Sequence, residues 1–178
     1  MVCIVGEKTT NVHRRYTSPM SSLEKATFAA GCFWGVEEIF RTTLGVMDTA
    51  CGYTGGTTSD PTYQDVCTGE TGHAEAVQVT YDATKVSYEK LLQIFWGNHN
   101  PTTRNMQGPD VGTQYRSAIF FHTPEQEHIA RNSLSTLEKE KKFHRPIVTE
   151  ILPAPIFYPA EEYHQKYLMK RGMGSCHT

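Results

Sequence analysis

Ala26-Thr27-Phe28-Ala29-Ala30-Gly31-Cys32-Phe33-Trp34-Gly35-Val36-Glu37-Glu38-Ile39-Phe40 is the stretch that decides how the rest of the chain reads. Ala26 to Ala30 is a short apolar run closed by a glycine, the pattern of a buried strand. After it, Phe33, Val36, Phe40 and Leu44 fall at helical spacing, with Gly45 as a stop. Cys32 is thereby placed at a strand-to-helix junction. Unpaired backbone N–H groups and the helix dipole favour an anion at that position, and a thiolate is an anion. On these local features the residue reads equally well as a reactive thiol or as a buried structural cysteine. Phe33 and Trp34 beside it supply two large aromatic faces, enough to wall a pocket for a small apolar group.

Outward from that stretch the pattern continues as alternating strands and helices. Val46 to Tyr53 reads as a strand closed by Thr54-Gly55-Gly56, His73 to Tyr81 as another, and Tyr115 to His122 and Ile147 to Leu152 as two more. Ser87 to Trp96 reads as a helix with Ser87 as N-cap. Thr123-Pro124-Glu125 opens a further helix running to about Lys142. Glu161 to Lys170 has helical composition, and Pro153, Pro155 and Pro159 are expected to break the last strand. Two long irregular stretches, 57–72 and 98–114, are expected to carry function. The order predicts an α+β fold, a split β-α-β (ferredoxin-like) core with long functional loops and a C-terminal coil. Residues 1–20 read as an N-terminal extension or tag, 21–170 as a single catalytic domain, and 171–178 as a mobile glycine-rich tail.

Composition narrows the function. The chain has 178 residues and a net charge of −2, so there is no electrostatic case for nucleic acid. No segment is long and apolar enough to span a membrane, and a cytoplasmic location is expected. The five cysteines, Cys3, Cys32, Cys51, Cys67 and Cys176, are odd in number and irregular in spacing, with no Cys-x-x-Cys pair. That pattern argues against a disulfide framework and against a zinc ribbon. Glu75, among small and apolar residues in Gly72-His73-Ala74-Glu75-Ala76, is expected to be desolvated and to hold its proton near neutrality. It could then donate that proton to an oxygen leaving sulfur, or it could equally be an edge-strand glutamate facing water. Tyr63 and Tyr115, in the two long stretches, are candidate donors to a substrate oxygen or simple loop anchors. Asp110 and His99 read as organisers of the second stretch, and His164 as a structural residue.

These words in this order resemble the peptide methionine sulfoxide reductase A family. They include Gly31-Cys32-Phe33-Trp34-Gly35-Val36-Glu37, Gly52-Tyr53-Thr54-Gly55-Gly56 and Tyr63-Gln64-Asp65-Val66-Cys67. Further on come Gly72-His73-Ala74-Glu75-Ala76-Val77, then Gln107-Gly108-Pro109-Asp110-Val111-Gly112-Thr113-Gln114-Tyr115-Arg116-Ser117, and Tyr163-His164-Gln165-Lys166-Tyr167-Leu168. The resemblance runs from about Ala26 to Lys170. Asn100 stands where the family is associated with an aspartate, at a position to which no chemical role attaches.

The resemblance implies roles that the residues alone leave open. Cys32 attacks the sulfur of methionine S-sulfoxide, free or in proteins. Glu75 protonates the departing oxygen, Tyr63 and Tyr115 hold it, and Asp110 supports them. Phe33 and Trp34 receive the methyl group. Cys32 becomes a sulfenic acid, Cys176 in the tail condenses with it to a disulfide, and thioredoxin reduces that disulfide. The resemblance implies no cofactor and no metal. The protein is expected to act as a monomer in repair after oxidation, away from nucleic acid and membrane. Cys51 and Cys67 are expected to be structural, with entry into a disulfide relay as the alternative. Two other readings use the same residues: a methionine-binding module built on Trp34, Tyr63 and Tyr115, and a cysteine hydrolase pairing Cys32 with His73 or His164.

Overall fold

The computed structural model describes residues 22–173. Cys3, the rest of the N-terminal extension and Cys176 lie outside them. The chain folds as a mixed α/β structure in which β1 (Leu23–Ala30), α1 (Phe33–Arg41), β2 (Val46–Thr54), α2 (Tyr63–Cys67), β3 (Ala74–Asp82) and α3 (Tyr88–Gly97) follow in order. A small hairpin, β4 (Met106–Gln107) with β5 (Asp110–Val111), precedes a 3-10 turn at Thr113–Tyr115. Then come β6 (Ser117–Phe121), α4 (Pro124–Lys139), β7 (Glu150–Pro153), β8 (Phe157–Pro159) and α5 (Tyr167–Lys170).

The main sheet runs β7-β6-β1-β3-β2-β8. Every neighbouring pair is antiparallel except β6 with β7. β3 is held on both sides, with Phe28 opposite Val77 on β1 and Tyr53 opposite Glu75 on β2. Glu75 is therefore on an interior strand, not an edge facing water. α1 and α3 pack on one face, where Phe28 stacks on Phe40, Tyr88 and Phe95 at centroid separations of 5.0, 6.1 and 5.3 Å. Burial of such aromatic side chains is the largest favourable contribution to a core of this size.

The junction read from the sequence is present. β1 ends at Ala30, Gly31 turns the chain at φ +92°, Cys32 is the N-cap position and α1 begins at Phe33. A side chain on Gly31 would meet Gln107, whose Cβ stands 2.7 Å from the position a Cβ would take.

Five expectations are corrected. α1 stops at Arg41, short of Leu44, which is left exposed. The stretch 57–72 is not wholly irregular: Thr62 and Asp65 form a reciprocal capping box that starts α2. Tyr115 belongs to the 3-10 turn, and the strand after it begins at Ser117. The strand expected from Ile147 starts only at Glu150 and stops at Pro153 as expected, but the chain then adds an unforeseen edge strand, β8, where Pro159 withholds no needed donor. Finally, Glu161 to Lys166 is a series of turns, and only Tyr167–Lys170 is helical. Two long-range contacts hold that segment out of a helix. The Gln165 amide accepts the Cys51 N–H at 2.9 Å and donates to the Cys51 carbonyl at 2.9 Å, and buried Glu37 accepts the Lys166 N–H at 2.6 Å. Lys166 takes left-handed backbone at φ +53° to make this bond. No helix among the described residues is long and apolar enough to cross a membrane.

Candidate active site

The N-terminus of α1 is where the candidate residues meet. Cys32 is partly exposed there, while Phe33 is buried in the core behind it. The Phe33 N–H, one of the helix's unpaired donors, points to the Glu75 Oε2 at 3.1 Å. Glu75 is 2% exposed. Burial pushes its carboxyl up to about 7; the Phe33 N–H opposes that shift and the nearby charge of Asp110 reinforces it. A carboxylic acid that exchanges its proton near neutrality is suited to general acid work.

The two phenols face the same centre. Burial, then the charges of Glu75, Asp110, Cys32 and Cys67, push the Tyr115 hydroxyl up to about 12. The Cys67 side chain one turn along α2, then burial, raise the Tyr63 hydroxyl, with Glu75 and Tyr115 adding to the effect. Both phenols therefore keep their protons and remain hydrogen-bond donors at any ordinary pH. Cys32, Tyr63, Glu75, Asp110 and Tyr115, which span 84 positions of sequence, share one electrostatic neighbourhood.

Trp34 is held by residues from the far end of the chain. Its indole N–H donates to the His164 Nδ1 at 3.0 Å, and its ring stacks on Tyr167 at 3.8 Å and 5°. Arg171 lies over the other participant, 4.0 Å from the Tyr167 centroid. His164 is fully buried and touches Phe33, Tyr63 and Tyr163 as well, with centroids 5.1, 4.7 and 4.1 Å away. Burial lowers its pKa, so the ring is neutral; Nδ1 accepts from Trp34 and the proton sits on Nε2. Nε2 is buried without a hydrogen-bond partner, 3.9 Å from the Glu161 Oε2. Glu161 in turn accepts from the Tyr53 hydroxyl at 2.9 Å and the Tyr63 N–H at 2.8 Å.

His164 and Glu161 are thus parts of the site that the residue-by-residue reading left aside. The available signal was the run Tyr163-His164-Gln165-Lys166-Tyr167, whose aromatic and imidazole density is unusual for a surface helix. Two further histidines have partners of their own. His73 accepts the Gly56 N–H at Nδ1 and donates from Nε2 to the Thr58 carbonyl, and His99 bonds the Phe95 carbonyl and the Ser117 hydroxyl. Both ring nitrogens of His73 are thus taken up by backbone groups. Cys51 is fully buried, and burial followed by the charge of Glu37 raises its thiol far above the ordinary value, which fits a structural residue. Cys67 is exposed and stands beside Tyr63, so it borders the site. Cys176 lies outside the described residues.

Comparison with known proteins identifies the family. The family model described as peptide methionine sulfoxide reductase matches residues 24–178. The chain is 63% identical over 161 residues to the peptide methionine sulfoxide reductase MsrA of Methanoculleus marisnigri, covering 90% of this chain and 98% of that one. Among solved structures it resembles Mxr1 from Saccharomyces cerevisiae in reduced form, with a TM-score of 0.80, 38% identity, and 85% and 87% of the two chains covered. It also resembles the same yeast protein in complex with Trx2, with a TM-score of 0.58, 25% identity, and 82% and 84% covered. With the match running through every word quoted above and nearly the full length of its relatives, the chain belongs to the peptide methionine sulfoxide reductase A family.

Proposed function

We propose that the N-terminus of α1 is where this reductase turns methionine S-sulfoxide into methionine, with Cys32 as the nucleophile. The observation that carries the assignment is the pairing of Cys32 with a buried carboxyl group that titrates at about 7 and hangs from the first N–H of the same helix. A sulfoxide oxygen leaves poorly as an anion, so the nucleophile needs an acid beside it. The thiolate of Cys32 attacks the substrate sulfur while Glu75 gives its proton to the oxygen. Tyr63 and Tyr115 donate hydrogen bonds to that oxygen as its charge develops, and Asp110 favours the protonated form of Glu75. The methyl group lies against Phe33 and Trp34. Methionine departs, the oxygen stays with Cys32, and the sulfur of Cys32 is oxidised to a sulfenic acid. Cys176 then attacks that sulfur, a disulfide forms and water leaves. Two electrons from a dithiol restore both thiols, and we take thioredoxin to be that dithiol. In support, a relative with this fold was solved in complex with Trx2.

We further read β6-β1-β3-β2, with α1 and α3 as crossovers, as the ferredoxin-like split β-α-β core expected from the sequence, on the strength of their order in the sheet. We assign residues 21–170 as the catalytic domain and 171–178 as the tail that carries the resolving thiol. We place the enzyme in the cytoplasm, where reductant for Cys32 is continuously available.

The reduced protein, mixed with one equivalent of methionine S-sulfoxide, is expected to release one methionine and to yield a Cys32–Cys176 disulfide on peptide mapping by mass spectrometry. Reduction of the sulfoxide by the Cys32→Ser protein would overturn the assignment.

A further inference from the structure

The chain has a net charge of −2, yet one of its cavities is cationic. This cavity, of about 620 Å³, lies between the end of α3 and the segment that follows α4. Lys142, Arg145, His99 and His144 line it, together with Gln107, Phe143 and small or neutral polar residues, and no carboxylate does. Lys142 and Arg145 are exposed, and among the described residues neither has a carboxylate within 4.0 Å. Glu138 lines a second groove that shares Phe143, His144 and Arg145 with this one, and Glu140, two positions before Lys142, lines neither.

The cavity is next to the reactive thiol. Gln107 forms the wall between them, since it lines the cavity and packs directly on Gly31, the residue before Cys32. Its amide is fixed from the cavity side, accepting the Asn100 N–H at 2.8 Å and donating to the Asn100 carbonyl at 3.1 Å. A methionine sulfoxide inside a protein arrives with flanking residues. An extended chain advances about 3.3 Å per residue, so residues a few positions from the sulfoxide have the reach to pass over Gln107, which covers the buried Gly31, to the cavity beyond it. A concave surface that carries Lys142 and Arg145 and no carboxylate gathers anionic groups there and speeds their encounter.

We propose that this cavity receives Asp or Glu side chains of the protein substrate, so that the enzyme prefers oxidised methionines with acidic neighbours. The inference rests on the reading of Cys32 as the attacking thiol. It selects among macromolecular substrates and leaves the reaction on free methionine sulfoxide unaffected.

The test compares two methionine S-sulfoxide peptides that differ only in flanking residues, one Glu/Asp-rich and one Lys-rich, with free methionine S-sulfoxide as the third substrate. Dithiothreitol serves as reductant, which removes any contribution from thioredoxin docking. At low salt the acidic peptide is expected to show a KM about threefold to tenfold below that of the basic one, the scale of two or three exposed ion pairs. The gap should close as salt is raised to about 0.5 M. The double variant Lys142→Glu, Arg145→Glu should reverse the preference and keep the wild-type rate on free methionine sulfoxide. Equal KM values for the two peptides with the wild-type protein, or an unchanged preference in the double variant, would overturn the proposal. The salt titration needs no variant, so it decides the matter even if the double variant folds poorly. Binding of a fluorescently labelled acidic peptide, read by anisotropy, reports on the cavity independently of turnover. Failure to reduce free methionine sulfoxide would instead count against the assignment of Cys32.

Discussion

Glu75 has a proton affinity that can be measured in two independent ways. Its pKa is about 7 in the folded protein against an ordinary 4.5. A group whose pKa is higher in the folded than in the unfolded chain binds its proton preferentially in the fold. Its contribution is therefore fully present below pH 4.5 and is lost as pH rises through about 7. The difference corresponds to roughly 3 kcal/mol once Glu75 is ionised. Glu75→Gln keeps an acceptor for the Phe33 N–H and removes the titration. It should raise the thermal midpoint at pH 8 relative to wild type, with the gap vanishing near pH 4. The same substitution should slow the single-turnover reduction by about 10²–10⁴-fold at neutral pH and erase the decline in rate above pH 7. A single-turnover rate equal to wild type would remove Glu75 as the acid. His164 makes a second case. His164→Phe retains the ring between Phe33 and Tyr63 and deletes the acceptor of the Trp34 N–H, a bond worth about 1 kcal/mol. The expected result is a higher KM for free methionine sulfoxide with a smaller change in kcat. Trp34 emission should shift when Trp96 is replaced by Phe in both proteins. Unchanged KM and emission would show that His164 only fills space. The burial of Glu75 was foreshadowed by its apolar neighbours in sequence, with an exposed edge strand as the alternative. The contacts of His164 were not, because its partners Trp34 and Tyr63 are 130 and 101 positions away.

At the scale of elements, α2 shows what periodicity misses. Five residues make little more than one turn, too short for a 3.6-residue pattern to register. The sign that was present is the pair Thr62 and Asp65, in which each side chain takes the other's backbone N–H. The helix matters because its first residue is Tyr63, pinned from outside by Glu161 and at its end by the neighbouring Cys67. Thr62→Ala should cost about 1 kcal/mol, concentrated in this one turn. Hydrogen exchange at residues 63–67 should accelerate while β1 and β3 keep their protection, and turnover should fall as Tyr63 loses its fixed place. Equal exchange in the two proteins would mean that Glu161 alone holds the turn. The opposite error, a helix expected over Glu161 to Lys166, has the converse cause. Local composition favours a helix there, and contacts from Gln165 to Cys51 and from Lys166 to Glu37 override it. Buried Glu37 and the backbone of buried Cys51 would otherwise lose hydrogen-bond partners, which costs too much to leave unmade.

Across the whole molecule, the words quoted from the sequence are scattered over some 140 positions and converge on one helix terminus. Alternating apolar patterns disclose the strands and helices, but not which ends meet. That is settled by sheet order and by a C-terminal segment that folds back over α1. This return path also bears on the second thiol. Tyr167 stacks on Trp34, two residues from Cys32, so the chain leaves α5 beside the site. Cys176 follows Met173, the last described residue, by three positions, a reach of about 10 Å when extended. A disulfide needs Cα atoms within about 7 Å, and Gly172 and Gly174 widen the backbone conformations available to the intervening residues. The competitor is Cys67, which is exposed and borders the site next to Tyr63, whereas Cys51 is sealed in the core. Cys176→Ser should therefore release one methionine per protein at the wild-type single-turnover rate and then stall. Thioredoxin-driven steady-state turnover should fall to a few per cent or less, while Cys67→Ser keeps the wild-type value. If Cys176→Ser sustains thioredoxin-driven turnover and the further replacement of Cys67 abolishes it, the resolving thiol is Cys67. The electrons would then enter from the α2 side of the site, not through the C-terminal tail.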